Sequence, residues 1–182
     1  MKKLIPFILF ASVILVSCDD EVTEVEKTAE FKKITLTAED TLSTDPRVKG
    51  QGHTGDFAYR IDSINQYSAG FYENLNDTLV GSRIRVCLNY WVKSTNPLKG
   101  DCLALSFVKK DGSLTWNSFD VVNYTNKPNE WVNVIDSLTY TADQFSEGGC
   151  VIKVFAFSGN KSTIVDFDDV TITLKKVYTV AE

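Results

Sequence analysis

The sequence predicts an all-β protein folded as a two-sheet antiparallel β-sandwich, and three observations lead there. From Phe31 onward, short alternating segments are separated by Gly, Asn, Asp and Pro, the pattern of many short strands joined by turns. No long helical period appears. One segment, SRIRVCLNYWVK, alternates almost without fault: Ile84, Val86, Leu88, Tyr90 and Val92 fall on one face, and Arg85, Cys87, Asn89, Trp91 and Lys93 on the other. The first face is assigned to the core.

The expected strands follow in order. Phe31 to Thr37 opens the domain, Asp56 to Asp62 follows a glycine-containing turn, and Gln66 to Leu75 comes next. The segment Ser82 to Lys93 is the alternating strand just described. The stretch Ser94 to Asp101, with Asn96-Pro97 and Lys99-Gly100, turns the chain into CLALSFVKK, where Leu103, Leu105 and Phe107 alternate with smaller residues. Asp111-Gly112 marks the next turn. Trp116 to Tyr124, Trp131 to Thr141, Cys150 to Ser158 and Thr163 to Lys175 complete about nine strands, enough for two packed sheets. Ala142 to Gly149 reads as a connector ending in Gly148-Gly149, and Trp131 is assigned to the core because it begins a strongly alternating strand. No internal repeat, low-complexity tract or second linker divides the sandwich.

The amino-terminal end carries a different signal. Lys2 and Lys3 precede an apolar run, Leu4 to Val16, with the small Ser17 before Cys18. This is a signal-peptide pattern, too short for a span that needs roughly 20 apolar residues. Leu15-Val16-Ser17-Cys18 resembles the bacterial lipobox, which implies removal of residues 1–17 and lipidation of Cys18. Asp19-Asp20-Glu21 is similar to the acidic tract that follows the lipidated cysteine in surface lipoproteins of the Bacteroidetes, which implies an outer-membrane anchor facing the cell exterior. Residues 18–30 are then a lipidated cysteine and acidic tether, and residues 31–182 a single domain.

Charge and cysteine usage narrow the function. The whole chain carries a net charge of −5, and loss of residues 1–17 leaves 17 basic against 24 acidic residues. A mildly acidic chain is a poor partner for nucleic acid. Beyond Cys18, the cysteines are Cys87, Cys102 and Cys150, whose spacing matches no zinc motif. One disulfide and buried free thiols both satisfy the pattern. His53 is the only histidine, with no serine or cysteine arrangement that would mark a nucleophile and its base. No glycine-rich phosphate loop is present. The expectation is a non-catalytic protein.

Four pieces in order, GHTGDFAYRID at Gly52 to Asp62, YWVK at Tyr90 to Lys93, EWVNV at Glu130 to Val134, and Ile152 to Phe157 followed by FDDVTI at Phe167 to Ile172, resemble the galactose-binding-like jelly roll of carbohydrate-binding modules. The resemblance spans roughly Phe31 to Lys176. It implies a tight turn at Gly55, a small core residue at Ala58, and one structural calcium near the last strand. Its preferred ligands are Asp169 with Asp56 or Glu39, because calcium favours several oxygen donors. Alternation sends Asp166 and Asp168 to one side and Asp169 to the other, so all three could share an ion only across a bulge.

The resemblance also implies a sugar platform, in which exposed rings stack on a sugar's C–H face while polar groups hold its hydroxyls. The candidate ligand residues are Trp91, Asn89, Arg85, Phe155 and Phe157 on one sheet face, with Trp116, Tyr72, Tyr67 and Tyr124 as further aromatics. The expected function is a cell-surface lipoprotein that binds a glycan or polysaccharide. A structural or adhesive lipoprotein that meets a protein partner is the alternative, since aromatics also enrich protein interfaces. Asp40-Thr41-Leu42, Asp62-Ser63-Ile64, Asp77-Thr78-Leu79 and Asp136-Ser137-Leu138 each resemble the Asp-Ser/Thr-aliphatic O-glycosylation motif of Bacteroides-like bacteria.

Overall fold

The structure is a computed structural model that describes residues 24–40, 46–97, 100–160 and 162–181. The signal segment, Cys18 and Thr41-Leu42 lie outside the described residues. Among the described residues, ten strands run in chain order: β1 (Glu24–Leu36), β2 (Arg47–Lys49), β3 (Phe57–Ile61), β4 (Tyr67–Asn74), β5 (Arg83–Ser94), β6 (Asp101–Val108), β7 (Leu114–Asp120), β8 (Val132–Tyr140), β9 (Val151–Ser158) and β10 (Val165–Ala181). They form two antiparallel sheets, one ordered β2-β3-β10-β5-β8 with β1 also on β10, the other ordered β4-β9-β6-β7.

The core lies between the sheets because each strand turns one side-chain parity inward. On β5, Ile84, Val86, Leu88, Tyr90 and Val92 are buried. Leu103, Leu105 and Phe107 meet them from β6, and Ile152, Val154 and Ala156 from β9. Phe107 packs against Tyr140 at 4.8 Å between ring centroids. The connector after β8 also enters the core, because Phe145 is fully buried within it. Trp131 does not. Val132 and Val134 take the inward parity of β8, so Trp131, Asn133 and Ile135 point outward.

Strand β1 starts at Glu24, seven residues before the expected boundary, and covers most of the stretch read as a tether. It pairs with the end of β10 from Glu24↔Ala181 to Glu30↔Lys175, forming a ribbon whose β1 side chains are mostly exposed. Backbone pairing and charge hold it, with Glu26 accepting from Arg85 at 2.5 Å and Arg83 at 2.9 Å. An apolar-periodicity reading has nothing to detect there. Strand β2 is similarly short and lacks a pattern of its own; it exists through pairing with β3.

Two bulges decide which side chains share a face. In β4 the register shifts between Ser68 and Phe71, with Ala69 at φ 53°. In β10 it shifts between Asp168 and Thr171, with Asp169 at φ 50°. Each adds one residue and resets the alternation downstream.

Candidate functional site

The outer face of the four-stranded sheet carries a contiguous aromatic surface. On β9, the inward parity of Ile152, Val154 and Ala156 turns Phe155 and Phe157 outward. Tyr67 on β4 reaches them at centroid distances of 5.9 and 5.3 Å. Trp116 on β7 meets the same two rings edge-on at 5.3 and 5.5 Å. Strand β6 lies between β9 and β7, so these contacts pass over it. Its outward residues, Cys102, Ala104 and Ser106, are small enough to lie buried beneath the rings.

Tyr67 and Trp116 remain 54% and 43% exposed, and Tyr72 is 70% exposed. The β4 bulge places Tyr67 and Tyr72, an odd-even pair, on this same face; unbroken alternation would separate them. A cross-strand row runs Tyr72–Lys153–Ser106–Trp116. Burial, followed by the field of Asp120, pushes the Cys102 thiol up to about 12, so it stays protonated under the rings. Cys87, Cys102 and Cys150 are all free thiols.

Trp91, Asn89 and Arg85 do not join this surface. They lie on the outer face of the other sheet, with the core between them and Phe155 and Phe157, so the five do not form one platform. Outward parity was right for both groups, but parity within a strand does not say which sheet the strand enters. Trp91 is covered by His53, stacked at 3.8 Å and 14° between ring planes. Asn89 accepts from Asn133 Nδ2 at 2.8 Å, and Arg85 is tied to Glu26 and to Thr139 Oγ1. Tyr124 donates its hydroxyl to Asp136 at 2.5 Å and packs against the core.

Beside Trp91 a cleft of about 200 Å³ is lined by Gln51, Arg60, Lys93, Thr95, Asn129 and Asp166, among others. Arg60 grips the buried Asp166 with Nε at 2.7 Å and a second nitrogen at 3.0 Å. That hydrogen-bonded pairing raises the guanidinium's pKa. Lys93 reaches Asp166 at 3.4 Å and Gln51 Oε1 at 3.0 Å, and lies over the Trp131 ring. The polar groups of the cleft are therefore largely spent on one another.

The turn before β3 is fastened to the β10 bulge. The backbone N–H groups of His53 and Thr54 donate to Asp168 Oδ2 at 2.8 and 3.1 Å, and that of Asp169 to Oδ1 at 2.8 Å. Burial outweighs these bonds and raises the pKa of Asp168. Asp169 accepts from Thr54 Oγ1 at 2.7 Å and faces His53 Nδ1 at 3.4 Å.

Among the described residues, no three His, Cys, Asp or Glu side chains converge, so Asp169, Asp56 and Glu39 form no carboxylate cluster. The turn supplies other oxygen donors. A Cβ on Gly52 would stand 2.8–2.9 Å from the carbonyl oxygens of Thr54, Gly55 and Phe57. Glu39 Oε1 accepts the Phe57 N–H at 2.6 Å and would meet a Cβ on Gly55. Converging carbonyls beside a carboxylate suit a hard cation in chemical type.

No protein-family model matches the chain, and no curated protein matches it in sequence. Similar solved structures include a family 16 carbohydrate-binding module, with a TM-score of 0.43 and 16% identity over 75% of this chain and 94% of that one. A candidate sugar-binding protein from Bacteroides thetaiotaomicron has a TM-score of 0.41 and 16% identity over 80% of this chain and 87% of its own. The family 30 carbohydrate-binding module of a Clostridium thermocellum cellulosomal cellulase has a TM-score of 0.39 and 14% identity, covering 83% of this chain and 97% of that one. The architecture of the present chain stands on its own strand order, as a two-sheet antiparallel β-sandwich.

Proposed function

We propose that this domain is a non-catalytic glycan-binding module that holds a polysaccharide against the outer face of its four-stranded sheet. The carrying observation is the joined surface of Tyr67, Phe155, Phe157 and Trp116, exposed at both flanks and extended by Tyr72. Rings held by mutual edge contacts are preorganised, so a sugar stacking on them orders little protein. Lys153 supplies an exposed polar group within the same surface.

Affinity electrophoresis through gels containing different polysaccharides tests this reading. Retardation of the wild type that is lost in Trp116→Ala supports it. A folded wild type that no polysaccharide retards points instead to a protein partner for the same aromatic surface.

The reading extends to calcium and location. Glu39 and the carbonyls of Thr54, Gly55 and Phe57 would hold a calcium that fastens the β2–β3 turn; Asp56 belongs to that turn in sequence, and Asp169 accepts from its Thr54. The lipobox-like segment supports anchoring through Cys18 at the outer membrane, facing outward. Intact mass of membrane-extracted protein should show loss of residues 1–17 and added acyl chains; an unmodified Met1 start would refute the anchor.

A further inference from the structure

Lys153 sits in the end row of the aromatic surface, two residues along β9 from Phe155, between Tyr72 of β4 and Ser106 of β6, with Trp116 next in the row. It is exposed and has no ion-pair or hydrogen-bond partner among the described residues. Acids of the neighbouring strands belong elsewhere. Glu73 pairs with Lys32 at 3.2 Å. Asp120 lies in the row of Phe157 and Cys102, four residues along the strands from the Lys153 row, or roughly 13 Å at about 3.3 Å per residue. The row between Tyr72 and Trp116 thus carries a positive charge in a chain whose net charge is −5.

We propose that the platform selects an acidic polysaccharide, and that Lys153 pairs with the carboxylate of a uronate residue lying between Tyr72 and Trp116. The inference rests on the glycan reading above and adds its substrate class. A neutral chain stacked across the row would strip water from an ammonium group and return only hydroxyl acceptors, weaker partners than a carboxylate. A carboxylate there replaces the lost water with a charge-assisted bond. The same lysine therefore favours one class and penalises the other.

The test uses the full chain, polygalacturonate and alginate as probes, and the same polysaccharides after chemical reduction of their carboxyl groups. Titration calorimetry would compare wild type, Lys153→Gln, Lys153→Arg and Trp116→Ala. The expected result is binding to an acidic form that weakens on carboxyl reduction and on adding salt. Lys153→Gln should weaken it about two- to fivefold, the worth of a solvent-exposed ion pair, while Lys153→Arg keeps most of it. Binding to the reduced polysaccharides as tight as to the acidic forms would overturn the acidic selectivity while leaving the glycan platform in place. Acidic binding indifferent to Lys153→Gln but lost in Trp116→Ala would remove Lys153 alone. Failure of every form to bind would overturn the acidic selectivity, and the glycan platform falls with it if no polysaccharide retards the protein in the gels.

Discussion

Replacing Asp168 by alanine removes the fastening between the β2–β3 turn and the central strand β10. Three backbone N–H groups lose their acceptor: those of His53, Thr54 and Asp169. Bonds to a charged acceptor contribute about 1.5–3 kcal/mol each when isolated. Two of the donors lie in a surface turn where water can replace the carboxylate, and the desolvation that raises the pKa of Asp168 is relieved by the change. The expected net loss is therefore about 2–3 kcal/mol, or roughly 4–12 °C in Tm for a chain of this size. Asp168→Asn retains an oxygen for His53 and Thr54 but turns an N–H₂ toward Asp169, and should cost about 1 kcal/mol.

The pH dependence has a definite sign. With the folded-state pKa above the unfolded value, the native state binds the proton more tightly. The stability contributed by this group is present below the unfolded pKa and declines as pH rises through the folded one. The advantage of wild type over Asp168→Asn should accordingly be larger near pH 4 than near pH 7. Urea unfolding at both values reads these differences, and amide exchange at His53 and Thr54 reports the local opening. An Asp168→Ala midpoint equal to that of wild type, with those amides still protected, would refute the reasoning.

Other consequences are equally direct. EDTA should lower the Tm if calcium occupies the Glu39 and carbonyl cradle, and added calcium should restore it; an unchanged melt removes the ion from the account. Arg60→Met leaves Asp166 buried with only Lys93 beside it and should destabilise by about 3 kcal/mol, whereas Arg60→Met with Asp166→Leu should recover much of that loss in denaturant titrations. Cys102 should resist alkylation in the folded wild type and react faster in Trp116→Ala, because the ring that closes over β6 is gone. Equal rates would show that the rings do not shield it.

The strand alternation was legible because β5, β6 and β9 have clean two-residue periods backed by a buried face. The exposed β1 ribbon was not, since nothing apolar marks a strand held by backbone pairing and Glu26. The candidate site was half legible. Outward parity identified Phe155 and Phe157 on β9 and Trp91 on β5, but assignment of strands to sheets depends on long-range pairing and put the core between them. The joint placement of Tyr67 and Tyr72 depends on the β4 bulge at Ala69-Gly70, whose one sequence signal is a glycine inside a strand. His53 covering Trp91 follows from the turn that Asp168 fastens, a contact 115 residues distant in sequence.

The most direct test of the central claim uses the three tryptophans as reporters, because Trp116 lies apart from Trp91 and Trp131, which both contact His53. Trp116 lies on the aromatic surface, Trp91 beneath His53, and Trp131 near Lys93. Titrating the ¹⁵N-labelled protein with an oligosaccharide from the polysaccharide that retards it should move the Trp116 indole N–H resonance and leave those of Trp91 and Trp131 in place. Saturable shifts at Trp91 and Trp131 with Trp116 unmoved would place the sugar on the opposite sheet and contradict the account.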